Sequence, residues 1–226
     1  MNKIIEEFGK KIYQNNPSIR PIISYFYKIL FLKPTFTGWG MKTSCEIPWN
    51  GKDGEIFLQA NKHIEENFDF TKNPSNMTNQ NVNEFLWRHW IVSYSIKHAI
   101  EFSDTNDYNF VECGVADGVT AFFALREIIN NDKSKSRYSM HLYDSWDAMK
   151  KNSLLDSEMS SVGAYKNLNM NTTKQNLSEF EDKIIFHKGY IPESFTKLPE
   201  SPKSIIYLSI DLNATNATIS TLEFFF

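Results

Sequence analysis

The chain has 226 residues, 41% hydrophobic and 23% charged, with a formal net charge of −3: enough for one sizeable core in an ordinary globular protein. With a pI near 6.0, nothing in the charge balance points to a basic surface for nucleic acid or anionic lipid. With only Cys45 and Cys113 there is no disulfide framework, and a reducing, cytoplasmic compartment is expected.

In chain order, the N-terminus is too charged for a signal peptide. Residues 1–80 read as a helical and irregular extension. A first helix is expected over 3–14, closed by Asn15, Asn16 and Pro17, and a second over 18–32. The most apolar window, 19–32, is broken by Arg20, Pro21 and Lys28 and is shorter than the roughly 20 residues that span a bilayer. A long loop over 33–54 follows, and its glycine- and aromatic-rich part, 36–43, suits a lid over an acceptor. After a break at 73–76, a helix over 83–102 places Phe85, Trp90, Val92, Ile96 and Ile100 on an apolar face.

From residue 105 strands alternate with helices. Strands are expected over 109–113, 139–143, 183–187 and 204–210, and helices over 119–130 and around 169–181. This pattern predicts an α/β fold, a Rossmann-like doubly wound, mostly parallel sheet over 81–226. Ligands of such sheets bind at the carboxyl ends of the strands.

Three constellations fall at those ends. The first is Glu112-x-Gly114-x-x-x-Gly118, a strand–turn–helix joint whose glycines allow backbone to approach a ligand. A carboxylate at Glu112 disfavours a pyrophosphate, since two anions would face each other, and favours an amine-bearing cofactor such as S-adenosyl-L-methionine (SAM). The second is Asp144-Ser145-Trp146: Asp144 can accept from both ribose hydroxyls, or it can cap a helix, and Trp146 reads as core. The third is Asp211-Leu212-Asn213, where Asp211 is a candidate general base or ligand of a divalent cation, or a helix cap. Of the five histidines, His187 could face the cleft and His141 lies within a strand; none has a convincing metal-ligand spacing.

With these motifs in order, residues 82–226 resemble the macrocin O-methyltransferase family of SAM-dependent enzymes. The matching segments are 110–118, 141–145, 188–199 and 208–213. The resemblance implies a class I SAM-binding fold and methyl transfer to a hydroxyl, typically of a sugar in a glycan or secondary metabolite, with a bound magnesium ion. Cofactor contacts would come from Glu112, Gly114, Gly118, Asp144 and Ser145, and Asp211 would serve as metal ligand and base. The family's Asp-x-Asp is Asp211-Leu212-Asn213 here, and its later pair of adjacent aspartates has no counterpart.

The sequence ends at Phe226 in an apolar helix, so a C-terminally truncated form of a longer enzyme is expected. A second reading is a non-catalytic SAM-fold binding module; an NAD-dependent oxidoreductase is disfavoured by Glu112. The expected partner is a small-molecule or glycan hydroxyl acceptor, with no nucleic acid and no membrane span, and a homo-oligomer is left open.

Overall fold

The computed structural model describes residues 36–38, 41–43, 45–68, 79–105, 107–135 and 137–226. The helices expected over 3–14 and 18–32, and the break at 73–76, lie outside the described residues. The chain divides into two compact units, Met1–Ile47 and Pro48–Phe226. In the first unit, β1 (Phe36–Gly38) and β2 (Met41–Thr43) pair antiparallel, so the segment expected as a loop contains a short hairpin.

The second unit opens with two 3₁₀ turns and then α1 (Glu55–Asn67), a helix not resolved by the sequence reading. α1 buries Phe57, Ala60, Asn61 and Ile64, the i, i+3, i+4, i+7 stripe of a helix packed on one side. The helix expected over 83–102 is two, α2 (Asn79–Glu84) and α3 (Leu86–Glu101), separated at Phe85. α3 buries His89, Val92, Ser93, Ile96 and Ile100, while Trp90 is half-buried against Phe57, their ring centroids 5.5 Å apart.

The α/β sheet follows: β3 (Tyr108–Cys113), α4 (Val119–Asn130), β4 (Tyr138–Asp144), α5 (Met170–Asn176), β5 (Ile184–Lys188), β6 (Tyr207–Ile210) and α6 (Thr215–Phe225). All four strands are parallel, in the order β5-β4-β3-β6. That order matches the first four strands of a doubly wound sheet. The helix expected around 169–181 is shorter: α5 ends at Asn176 and a 3₁₀ turn takes over from Ser178 to Lys183.

Both faces of the sheet are covered, as parallel strands require. On one face Val111, Cys113 and Tyr143 meet Ile191 and Phe195, with Leu208, Ala217 and Phe225 packed against them. On the other, α4 carries Phe122 and Phe123 into an aromatic layer: Phe57 stacks on Phe123 at 4.9 Å, and Phe68 and Phe180 meet Phe122 edge-on at 5.3 and 5.7 Å. Such pairs add about 0.5–1.5 kcal/mol each beyond burial. Among the described residues, no helix is long and apolar enough to cross a membrane. Cys45 is an exposed thiol and Cys113 a buried one.

His187 does not face a cleft. It is buried, its ring stacked 4.0 Å from that of Tyr143, and its Nε2 is 2.9 Å from Nδ1 of His141. Burial lowers both imidazoles to about 4, helped at His187 by the neighbouring ring. The fold therefore favours the neutral forms, whereas the unfolded chain takes protons near the ordinary 6.5. Stability should be undiminished above pH 6.5 and fall from there towards pH 4, by up to about 1.4 kcal/mol per pH unit for each imidazole. Urea unfolding at pH 7, 5.5 and 4.5 tests this: His187→Phe should flatten the decline, and an unchanged slope would remove the pair as its cause.

Candidate functional site

β3 and β6 are neighbours in space but not in sequence, and their following helices lie on opposite faces of the sheet. The loops beyond their carboxyl ends therefore diverge, and the gap between them is where open parallel sheets hold ligands. Here that gap is a cleft of about 320 Å³, bordered by Phe85, Arg88, Gly114, Ala116, Asp144, Ser145, Tyr165 and Asp211, among others.

The turn after β3 is held before any ligand arrives. The Gly114 amide donates to the Tyr143 carbonyl at 2.9 Å, and the Asp211 amide to the Cys113 carbonyl at 2.8 Å. Gly114 has φ +90°, and a Cβ there would lie 2.1 Å from the Asp211 carbonyl oxygen. Only glycine fits against that backbone. Gly118, at φ +84°, starts α4 but faces away from the cleft: a Cβ would meet the Leu177 side chain at 3.0 Å and Thr173 at 3.2 Å. The side of Gly118 that a Cβ would occupy is thus filled by the packing of Leu177 and Thr173.

Asp144 caps no helix. Its Oδ2 accepts from the Val115 and Ala116 amides at 2.8 and 2.9 Å, and its Oδ1 from the Trp146 amide at 2.7 Å. A carboxylate offers about four lone-pair sites, so about one remains for a ligand hydroxyl. The expectation of two ribose contacts is thereby reduced to one while this clamp holds. Trp146 is core, as read from the sequence: it is buried, and its indole N–H donates to the Ala116 carbonyl at 3.1 Å and to Thr173 Oγ1 at 2.8 Å. Thr173 Oγ1 donates to the same carbonyl at 2.6 Å. Ser145 borders the cleft, its Oγ donating to the Asp147 carbonyl at 3.1 Å.

Glu112 is 2% exposed and is not on the cleft wall. Burial pushes its carboxyl well above the usual range; the charge of Asp211 adds to this, that of Arg88 opposes it, and Asp144 raises it further. It is a buried acid near three charges rather than an open anion.

Asp211 does not cap α6 either. Glu158 does, its Oε1 accepting from the Thr215 amide at 2.9 Å and hydroxyl at 2.6 Å, which holds the Glu158 carboxyl below its ordinary range. Asp211 instead pairs with Arg88 of α3. Asn213, at φ +51°, turns its amide to the Tyr165 hydroxyl at 3.1 Å. Among the described residues no group of three or more His, Cys, Asp and Glu side chains is placed to hold a metal ion.

Arg88, Tyr165 and Glu158 escaped the sequence reading. Arg88 sits in Trp87-Arg88-His89, where no local pattern marks it, and its partner is 123 residues away. The pair is open to solvent, with 38% and 47% of the two side chains exposed. Arg88→Ala should therefore change the unfolding free energy by less than about 1 kcal/mol. Urea titration checks this, and a loss of several kcal/mol would mean that Arg88 holds the fold rather than the cleft. No family model matches the sequence, and no curated protein matches it.

Proposed function

We propose that this chain is a SAM-dependent O-methyltransferase acting on a hydroxyl, that of a sugar in a glycan or secondary metabolite being the first expectation. The observation that carries the reading is the charge of the cleft at the β3–β6 gap. Among the described residues that border it are three carboxylates, Asp144, Asp147 and Asp211, against one cation, Arg88. A ligand bearing ammonium and sulfonium charges suits that wall, and a pyrophosphate does not. The resemblance to macrocin O-methyltransferases across residues 110–118, 141–145, 188–199 and 208–213 supports the same choice.

The cofactor, when bound, supplies an electrophilic methyl group on a sulfonium. Gly114 and Ala116 give backbone access, and Asp144 has about one acceptor site left for a ribose hydroxyl. In this reading Asp211 takes the proton from the acceptor hydroxyl as the hydroxyl oxygen attacks the methyl carbon. Arg88 occupies the Asp211 carboxylate while the pair persists, so Asp211 must exchange that partner for the substrate hydroxyl.

Magnesium, implied by the resemblance, does not fit these residues as they stand. The Asp211 carboxylate is already neutralised by Arg88, and Asn213 is engaged by Tyr165. The Arg88–Asp211 pair also favours a second reading, a SAM-binding module without turnover.

Calorimetric titration tests what the two readings share. SAM should bind and NAD should not, and the reverse result would sink both. Methyl transfer to nucleotide sugars or purified glycans then distinguishes enzyme from binding module.

A further inference from the structure

Beside the cleft lies a larger chamber of about 420 Å³, and Ser153, Tyr190 and Ala217 border both. Neither the glycine turn nor Asp144 belongs to it. Its cations are Lys150 and Lys197; Asn152, Asn216 and Ser220 add neutral hydrogen-bonding groups, and Glu193 is its one carboxylate.

The Lys150 ammonium lies 3.8 Å from the Tyr190 ring centroid. That ring is fixed in turn, its hydroxyl donating to the Ala148 carbonyl at 2.7 Å. An aromatic face thus holds the ammonium in place without cancelling its charge. Among the described residues, Lys150 and Lys197 face no carboxylate within 4.0 Å, as is also true of Lys52, Lys151, Lys166, Lys174, Lys183, Lys188 and Lys203; what sets these two apart is that they border one chamber.

We propose that this chamber is an acceptor subsite for an anionic sugar, with Lys150 and Lys197 taking its phosphate or carboxylate. Two ammonium groups against one carboxylate leave the chamber positive, while the adjoining cleft is negative. Opposite charges in neighbouring chambers sort a cationic cofactor and an anionic acceptor to separate ends and penalise the swapped arrangement. Glu193, Asn152, Asn216 and Ser220 are of the types that bind sugar hydroxyls. The volume lies within the range of about 300–1,000 Å³ usual for small-ligand sites. The role as acceptor side rests on the methyltransferase reading; the chemistry of the ligand comes from the chamber itself.

The test is titration of the full chain with glucose 1-phosphate, glucuronate and glucose, in the wild type and in a Lys150→Gln, Lys197→Gln variant. At least one of the two anions should bind, and glucose at least about tenfold more weakly, since charge-assisted contacts are the stronger ones. Phosphate or carboxylate preference identifies the source of the charge. The variant should lose at least about tenfold in affinity for the anion, with its melting temperature and SAM affinity unchanged. Equal binding of glucose and the anions, binding of neither anion, or undiminished anion affinity in the variant would overturn the proposal. Anion binding without SAM binding would keep the chamber and remove the methyltransferase reading; SAM binding without anion binding would do the opposite.

Discussion

Gly114→Ala should destabilise the protein by about 2–5 kcal/mol, the largest single-residue effect expected here. Two costs add. The residue sits at φ +90°, which costs an alanine about 1–2 kcal/mol. Its Cβ would also lie 2.1 Å from the Asp211 carbonyl oxygen, and overpacking costs about 1–3 kcal/mol more when something must move. What must move is backbone, next to the Asp211 amide that bonds to Cys113 across the β3–β6 pair. Gly118→Ala is the control: its φ of +84° carries a similar backbone cost, but its nearest neighbour is a Leu177 side-chain methyl at 3.0 Å, which can rotate. A loss of about 1–2 kcal/mol is expected there. Urea unfolding of the two variants side by side decides the matter: if Gly114→Ala is no worse than Gly118→Ala, the close approach of the two strand ends is wrong.

Asp144→Ala should cost about 2–4 kcal/mol, less than three full charge-assisted hydrogen bonds because water can reach part of the site. It leaves the amides of Val115, Ala116 and Trp146 without their acceptor. If the chain binds SAM as proposed, its affinity should fall by more than about tenfold, since the variant would lose both the proposed ribose contact and the shape of the turn. Asp144→Asn separates the two losses. It keeps one carbonyl oxygen, able to hold the Val115 and Ala116 amides, but replaces the other with a donor that repels the Trp146 amide. Its stability should therefore lie between those of wild type and alanine. Equal stability of all three proteins would show that the carboxylate does not hold the turn.

The sheet was legible because its signals are local. Apolar runs bounded by glycine and polar residues marked all four strands, and the residues that follow three of them, Gly114, Ser145 and Asp211, do border one cleft. Helices were read less well where a single side chain overrides a pattern. Asn176, the last residue of α5, donates its side-chain amide to the Asp117 carbonyl at 2.9 Å, 59 residues back, a contact no window of sequence contains. α1 was readable in principle from Phe57, Ala60 and Ile64, but its polar interior residue Asn61 blurs the stripe. The site eluded the sequence where it depends on pairs distant in the chain. Asp144, read as a ribose ligand or a cap, also clamps the turn through three amides, and Asp211, read as a base, a metal ligand or a cap, is paired with Arg88.

The clamp has one more consequence. Ala116 is held from three sides, its amide by Asp144 and its carbonyl by both Trp146 and Thr173. Its positive φ of +48° is therefore fixed as the protein folds. A ligand entering the cleft meets a loop whose disorder was surrendered earlier, so little of its binding energy is diverted to ordering the chain. Even a sparse set of contacts can then hold a small ligand.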